Sequence, residues 1–290
     1  MEPATEVREA EARLPAALRL GPVHVIVSDL DRSVAWYESQ LGLLTHARDD
    51  GTVELGDGRE TSVVLHEDPE ARPAGRHAGL YHYALLLPSR LELARAALRL
   101  AHARTPIDGM SDHGTHEAIY LPDPDGNGIE LAADRPREQW PARDAVYAGG
   151  PHPLDIRGLL GVVSGEAPAP QVGAGLRVGH VHLHVGDVEE GLAFYRDVLG
   201  FEEQANLGMA AFVSVDGYHH HLGFNTWRGQ GVGPAPEHVA GLDHWTIELP
   251  SEADVAAARA RLTAAGVPVE ELPRGFLVRD PWRIAATVIA

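Results

Sequence analysis

Polar and apolar residues alternate along GPVHVIV (21–27), and a Val- and Ile-rich period of two predicts a strand. Ser28 or Asp29 then stands at a helix N-cap, while Val34, Tyr37 and Leu41 recur at i, i+3 and i+7 on one helical face. Gly42 follows where a C′ glycine belongs. TVELGDGRETSVVLHED (52–68) reads as strands turning at Gly56-Asp57-Gly58. The pattern then restarts: HYALLLP (82–88) is a strand, LELARAALRLAHA (91–103) a helix, and THEAIYLPDPDGNGIELAAD (115–134) a hairpin turning near Asp125–Gly128. The first half of the chain thus holds two βαβββ units.

The second half repeats the first. GHVHLHVGDVEEGLAFYRDVLGF (179–201) aligns with residues 21–43, pairing His24 with His182, Tyr37 with Tyr195, Leu41 with Leu199 and Gly42 with Gly200. GLDHWTIELP (241–250) aligns with GLYHYALLLP (79–88), pairing His82 with His244, and DPWRIAATV (280–288) aligns with DPDGNGIEL (123–131). Four βαβββ units are therefore expected. The boundaries read as a helical N-terminal arm over 1–20, a domain over 21–140, a Pro- and Gly-rich linker over 141–176 and a second domain over 177–290.

Composition narrows the chemistry. The 290 residues suit about two domains. There is no Cys, which excludes disulfides, thiolate nucleophiles and iron–sulfur clusters. All 24 basic residues are Arg, so no Schiff-base or P-loop lysine exists. A formal net charge of −18 argues against nucleic acid and anionic membrane as partners. No apolar run reaches the roughly 18 residues of a spanning helix, and the acidic N-terminus lacks a signal-peptide layout, so a cytoplasmic location is expected.

Against these absences stand 17 His. In the first half, His24 and His82 interrupt the opening strands of units one and two, and Glu130 interrupts the closing strand of unit two. Each is flanked by apolar residues: Val23/Val25, Tyr81/Tyr83 and Ile129/Leu131. Alternation turns each polar side chain away from those neighbours, and a carboxylate buried in a strand needs a partner. One metal ion satisfies all three. Two His and one carboxylate with open positions suit non-haem Fe(II).

Residues 113–130, HGTHEAIYLPDPDGNGIE, resemble the signature of extradiol ring-cleavage dioxygenases at His113, Ile119-Tyr120, Asp123-Pro124, Gly126 and Glu130; Ser111 departs from it. The chain as a whole resembles the vicinal-oxygen-chelate (glyoxalase/bleomycin resistance/extradiol dioxygenase) superfamily, in particular its two-domain catechol 2,3-dioxygenase branch. That resemblance implies an α+β fold of two tandem domains, each an incomplete eight-stranded barrel. It implies metal ligands His24, His82 and Glu130, an acid–base His66 with His77 as rival, and substrate-binding His113 and Tyr120. It also implies Fe(II), with Mn(II) as the alternative, a small aromatic diol and O₂ as substrates, and a homo-oligomer. A glyoxalase- or epimerase-like metal enzyme and a drug-binding protein are the alternative readings.

In the second half, His182 and His244 match the His ligands, but Thr287 stands at the Glu130 position and Phe276 or Leu277 near that of Tyr120. The second domain is accordingly expected to be metal-free. His180, His182 and His184 on one strand face, and the triple His in GYHHHLGFNTW (217–227), read as polar remnants of a decayed cavity; a second metal or a closing interface is the competing reading. His46, His102, His152 and His238 read as surface residues, and Trp36, Tyr37 and Phe194 as core.

Overall fold

A computed structural model of the protein describes residues 13–143 and 145–290. Unit one comprises β1 (Arg19–Val27), α1 (Leu30–Trp36) prolonged by a π-helical turn (Tyr37–Leu41), β2 (Leu44–Asp49), β3 (Thr52–Gly56) and β4 (Thr61–Glu67). Unit two comprises β5 (Gly79–Leu86), α2 (Arg90–Ala103), β6 (Gly109–Asp112), β7 (His116–Pro122) and β8 (Gly128–Asp134). A connector carries a 3₁₀ turn (Arg137–Gln139), β9 (His152–Pro153) and α3 (Ile156–Gly161). Unit three comprises β10 (Arg177–His184), α4 (Val188–Leu192) with a π-helical turn (Ala193–Leu199), β11 (Glu202–Asn206), β12 (Ala210–Ser214) and β13 (Leu222–Asn225). Unit four comprises β14 (Gly241–Glu248), α5 (Glu252–Ala264), β15 (Val269–Leu272), β16 (Gly275–Arg279) and β17 (Ala285–Ile289).

The repeated sequence signals act as repeated local devices. Asp29, Ser89, Asp187 and Ser251 each cap the helix that follows, their side chains accepting a backbone N–H three residues on. Gly42 and Gly200 close their helices at φ 73° and 103°, in the left-handed region that glycine enters without strain. The tyrosines on those helices are core residues, as read from their spacing, but their hydroxyls also do a second job. Tyr37 donates to Asp123 at 3.1 Å, and Tyr195 to Asp280 at 2.8 Å. Each aspartate also accepts backbone N–H groups in its own turn, so helix and hairpin are tied within both halves.

Strand pairing divides the four units in a way the sequence reading did not anticipate. β1 pairs antiparallel with β14, with His24 opposite His244. β5 pairs antiparallel with β10, with His82 opposite His182. The outer units one and four therefore build one open eight-stranded array, β2-β3-β4-β1-β14-β17-β16-β15. The inner units two and three build the other, β6-β7-β8-β5-β10-β13-β12-β11. A bridge between Leu20 and Val178 joins the two arrays. The fold is α+β with four βαβββ units, but each open array draws on both halves of the chain, so the division at 21–140 and 177–290 does not separate the arrays.

The ends of the other predicted segments also differ. Of the expected arm, residues 1–12 lie outside the described residues, and Arg19 already belongs to β1. The segment 141–176 is docked rather than loose. β9 adds to β6, and the buried Arg99 of α2 donates to the carbonyls of Gln40, Leu41, Ala169 and Gln171. No helix among the described residues is long and apolar enough to cross a membrane.

Candidate metal centre

The register of three adjacent strands brings His82, Glu130 and His180 together. In β5, Ala84 lies opposite Glu130 of β8 on one side and opposite His180 of β10 on the other. Residues directly opposite share a sheet face. Glu130 and His180 thus reach toward each other across the methyl group of Ala84, while His82, two residues along β5, joins from the same face. Glu130 Oε2 lies 3.1 Å from His82 Nε2 and 3.1 Å from His180 Nε2, and the two nitrogens are 3.3 Å apart. All three side chains are buried, Glu130 at 1% exposure.

These residues fit a metal ion. Their ligand atoms converge within one small volume, at the spacing that adjacent ligands take on one face of an ion with bonds of about 2.1–2.2 Å. Glu130 Oε1, 3.2 Å from His116 Nε2, is buried without a hydrogen bond. An ion, water or ligand in the cavity would complete such a carboxylate oxygen. Burial alone would push the Glu130 carboxyl up, yet the imidazoles of His180, His116 and His82 hold it well below the usual carboxylate range. Burial pushes His180 down, against the pull of Glu130, and so favours the neutral imidazole that ligates.

The trio lies in the wall of a cavity of about 420 Å³, within the size range of small-molecule sites. Tyr81, Tyr147, Phe212 and Trp227 contribute aromatic surface to it. His113 and Tyr120, placed on the β6–β7 hairpin, share a 2.8 Å hydrogen bond at its edge. Burial, and then the neighbouring His116, push the His113 imidazole down to about 4. Burial beside Glu130 raises the Tyr120 phenol. Both are neutral near pH 7, a hydrogen-bonding pair rather than a charged one.

A second set of imidazoles lines the cavity next to the trio. His116 stacks between His113 and His219, with ring centroids 4.5 Å apart on each side. His219 Nε2 lies 3.1 Å from Asp134 Oδ1, and His219 Nδ1 lies 3.1 Å from His220 Nδ1. The His220 ring sits 4.2 Å from that of His180. The loop bearing these residues is pinned: Ser214 donates to the Tyr218 carbonyl and Tyr147 to that of His219.

Of the residues expected at the site, His82, Glu130, His113 and Tyr120 come together. His24 does not. It stacks on His244 with centroids 3.8 Å apart and shares a 2.9 Å hydrogen bond with His66, both in the outer array. His180 stands beside His82 and Glu130 instead, because β5 pairs with β10 and sets Ala84 opposite His180; the repeat counterpart of His24, His182, lies opposite His82 and bonds Asn225. His66 is thereby removed from the candidate acid–base role, and its register position explains why. It lies opposite Ile26, two residues beyond His24, as Glu130 lies opposite Ala84, two beyond His82. His66 is the outer-array counterpart of the carboxylate. His77 is held by its own loop, bonding Gly75 N and Ala78 O. The second half, read as metal-free, supplies one of the three converging residues, and the polar remnants His180, His219 and His220 line the cavity. Two signals in the sequence pointed there: three His on one face of β10, and three in succession at 219–221.

The chain matches the Glyoxalase/Bleomycin resistance protein/Dioxygenase superfamily over residues 19–131 and 177–282. It is 41% identical over 268 residues to the catechol-2,3-dioxygenase of Bacillus subtilis (strain 168), an alignment that covers 90% of this chain and 93% of that one. Among solved structures it resembles a candidate dioxygenase from Bacillus subtilis subsp. subtilis str. 168, with a TM-score of 0.66 at 14% identity over 96% of this chain and 86% of that one. It also resembles glyoxalase I from Zea mays, with a TM-score of 0.57 at 16% identity over 94% and 92% of the two chains. Those structural likenesses speak to the fold; the match over both halves and the identity to the Bacillus relative place the chain in the Glyoxalase/Bleomycin resistance protein/Dioxygenase superfamily.

Proposed function

We propose that the protein is an extradiol dioxygenase that opens a catechol-type aromatic diol with O₂, using Fe(II), with Mn(II) as the alternative ion. The observation that carries this reading is the convergence of His82, Glu130 and His180 in the wall of an aromatic-lined cavity, with Glu130 Oε1 buried beside His116 Nε2 at 3.2 Å but outside hydrogen-bond geometry. The name of the Bacillus relative agrees with it.

His82, Glu130 and His180 would hold the ion. When bound, it supplies the redox chemistry of O₂ and acidifies a diol hydroxyl. The chain does the rest. Tyr81, Phe212 and Trp227 offer faces to an aromatic ring. Tyr120 and His113 present a neutral donor–acceptor pair to a substrate oxygen. His220 replaces His66 as the candidate base: it lines the cavity, is buried, and its Nε2 bonds to nothing among the described residues. A positioned base of this kind contributes about 10²–10⁴-fold. The expected homo-oligomer belongs to the same proposal and is checked by light scattering.

The test is anaerobic loading with Fe(II) followed by catechol and O₂. A yellow ring-opened product is expected. Iron-loaded protein that yields none from a panel of substituted catechols would refute the proposal. Metal analysis of freshly purified protein separates it from the glyoxalase-like alternative: iron or manganese is expected, against zinc or nickel. Glu130→Ala separates it from a drug-binding protein, which would keep its ligand affinity.

A further inference from the structure

Three polar side chains run in line from the surface to the cavity: Asp134 at the end of β8, His219, and His220. Asp134 Oδ2 accepts from Tyr218 Oη at 2.9 Å, and Oδ1 lies 3.1 Å from His219 Nε2. His219 Nδ1 faces His220 Nδ1 at 3.1 Å. An ionised carboxylate only accepts, so the proton between Asp134 and His219 sits on His219 Nε2. A neutral imidazole carries one N–H, so His219 Nδ1 is then an acceptor. The Nδ1–Nδ1 contact needs one proton, and His220 Nδ1 must supply it. His220 Nε2 is left with a lone pair.

The opposite polarity requires either a His219 cation or a protonated Asp134. The first would place a buried positive charge among His116, His180 and His220. The second gives up the charge-assisted bond to His219. The chain therefore has one favourable direction, and its far end is the atom a base needs.

We infer that Asp134 and His219 are positioning residues that hold the proton of His220 on Nδ1 and so keep Nε2 available as a proton acceptor beside the metal ligands. This rests on the reading of the cavity as a catalytic centre and adds to it the device that sets the tautomer of its base. The dependence is one of direction: a group at position 134 that can donate as well as accept no longer enforces the polarity.

The test uses full-length protein with ¹⁵N-labelled histidine, loaded with Zn(II) as a diamagnetic stand-in. Wild-type His220 should show its proton on Nδ1 and a bare Nε2. In Asp134→Asn and Asp134→Ala, Nε2 should gain proton occupancy as both tautomers populate. The iron-loaded variants should lose about 10–100-fold in kcat with little change in KM. Asp134→Glu should restore the wild-type pattern in part. A wild-type His220 protonated on Nε2 overturns the inference, and so does a tautomer indifferent to both Asn and Ala at 134. If Ala prevents folding, the near-isosteric Asn variant decides alone. The spectroscopic arm needs no substrate. A correct, Asp134-dependent tautomer in a protein that cleaves no catechol would refute the dioxygenase reading and leave the relay standing.

Discussion

The outer array offers a stability test with a sign worked out in advance. Burial, followed by His244 and His66, pushes the His24 imidazole down from 6.5 to about 3, with Asp243 pulling weakly the other way. The folded state therefore binds a proton at His24 less readily than the unfolded chain does. Such a group contributes stability that is fully present above pH 6.5 and is lost as pH falls from 6.5 toward 3. At pH 5 the gap of about 1.5 units corresponds to about 2 kcal/mol lost relative to pH 8. His24→Phe keeps an aromatic face for the stack on His244 but cannot titrate. It also loses the bond to His66, a cost of about 0.5–1.5 kcal/mol at every pH. The variant should thus be about 1 kcal/mol less stable than wild type at pH 8 and equal or more stable at pH 5. Urea unfolding at both values measures this. Groups outside the His24–His66–His244 cluster are common to both proteins and drop out of the difference. Two curves that stay parallel between pH 5 and 8 would refute the argument that His24 is buried neutral between His66 and His244.

Three further predictions follow from the same geometry. His180→Ala should purify with at least about tenfold less bound metal, while His24→Phe keeps the wild-type content by elemental analysis; the reverse result would restore His24 to the ligand set. Burial raises the Asp280 carboxyl from 3.8 to about 6, with Tyr195 and the backbone N–H groups of Ile284 and Trp282 opposing. Its contribution is fully present below pH 3.8 and lost as pH rises through 6, so Asp280→Asn should gain about 2.5 kcal/mol on wild type between pH 4 and pH 8, read from denaturant midpoints. Arg99→Met keeps the buried stem but abandons four carbonyls; it should cost about 3 kcal/mol and expose the 141–176 segment to limited proteolysis, and an unchanged digestion pattern would show that Arg99 does not dock it.

The parts of the site legible in the sequence were local. Tyr120 and Glu130 face each other across one hairpin, and His113 lies seven residues before Tyr120 on the same hairpin system, so their proximity follows from strand and turn chemistry. His82 is brought to Glu130 by the β5–β8 pairing within one unit. What the sequence did not reveal was non-local. A repeat declares that four units share a shape, yet nothing in the repeat says which opening strands lie side by side. β5 pairs with β10, and the residue this brings to Glu130 is His180, which corresponds in the repeat to Pro22 and not to His24. The same ambiguity misplaced His66, whose only credential was its position in the chain between two presumed ligands.

The repeat itself explains why one site of four carries the carboxylate. Every opening strand keeps its histidine: His24, His82, His182 and His244. The closing strand, in register two residues on, carries His66, Glu130, Asn225 and Thr287 in turn. Each of the other three is satisfied without an ion. His66 bonds His24, Asn225 bonds both His182 and His184, and Thr287 bonds Thr246. A first-strand histidine is thus a property of the unit and not of a metal centre. Of these four residues Glu130 alone introduces a buried negative charge, and among the described residues its Oε1 makes no hydrogen bond, with His116 Nε2 beside it at 3.2 Å. The residue between the two partners also differs. Ile26, His184 and Thr246 fill that place in the other units, whereas Ala84 leaves the space over its methyl group in which Glu130 and His180 meet. The site is therefore specified by three departures from the repeat: a carboxylate at 130, a small residue at 84, and an extra histidine at 180 on the strand that the neighbouring unit brings alongside.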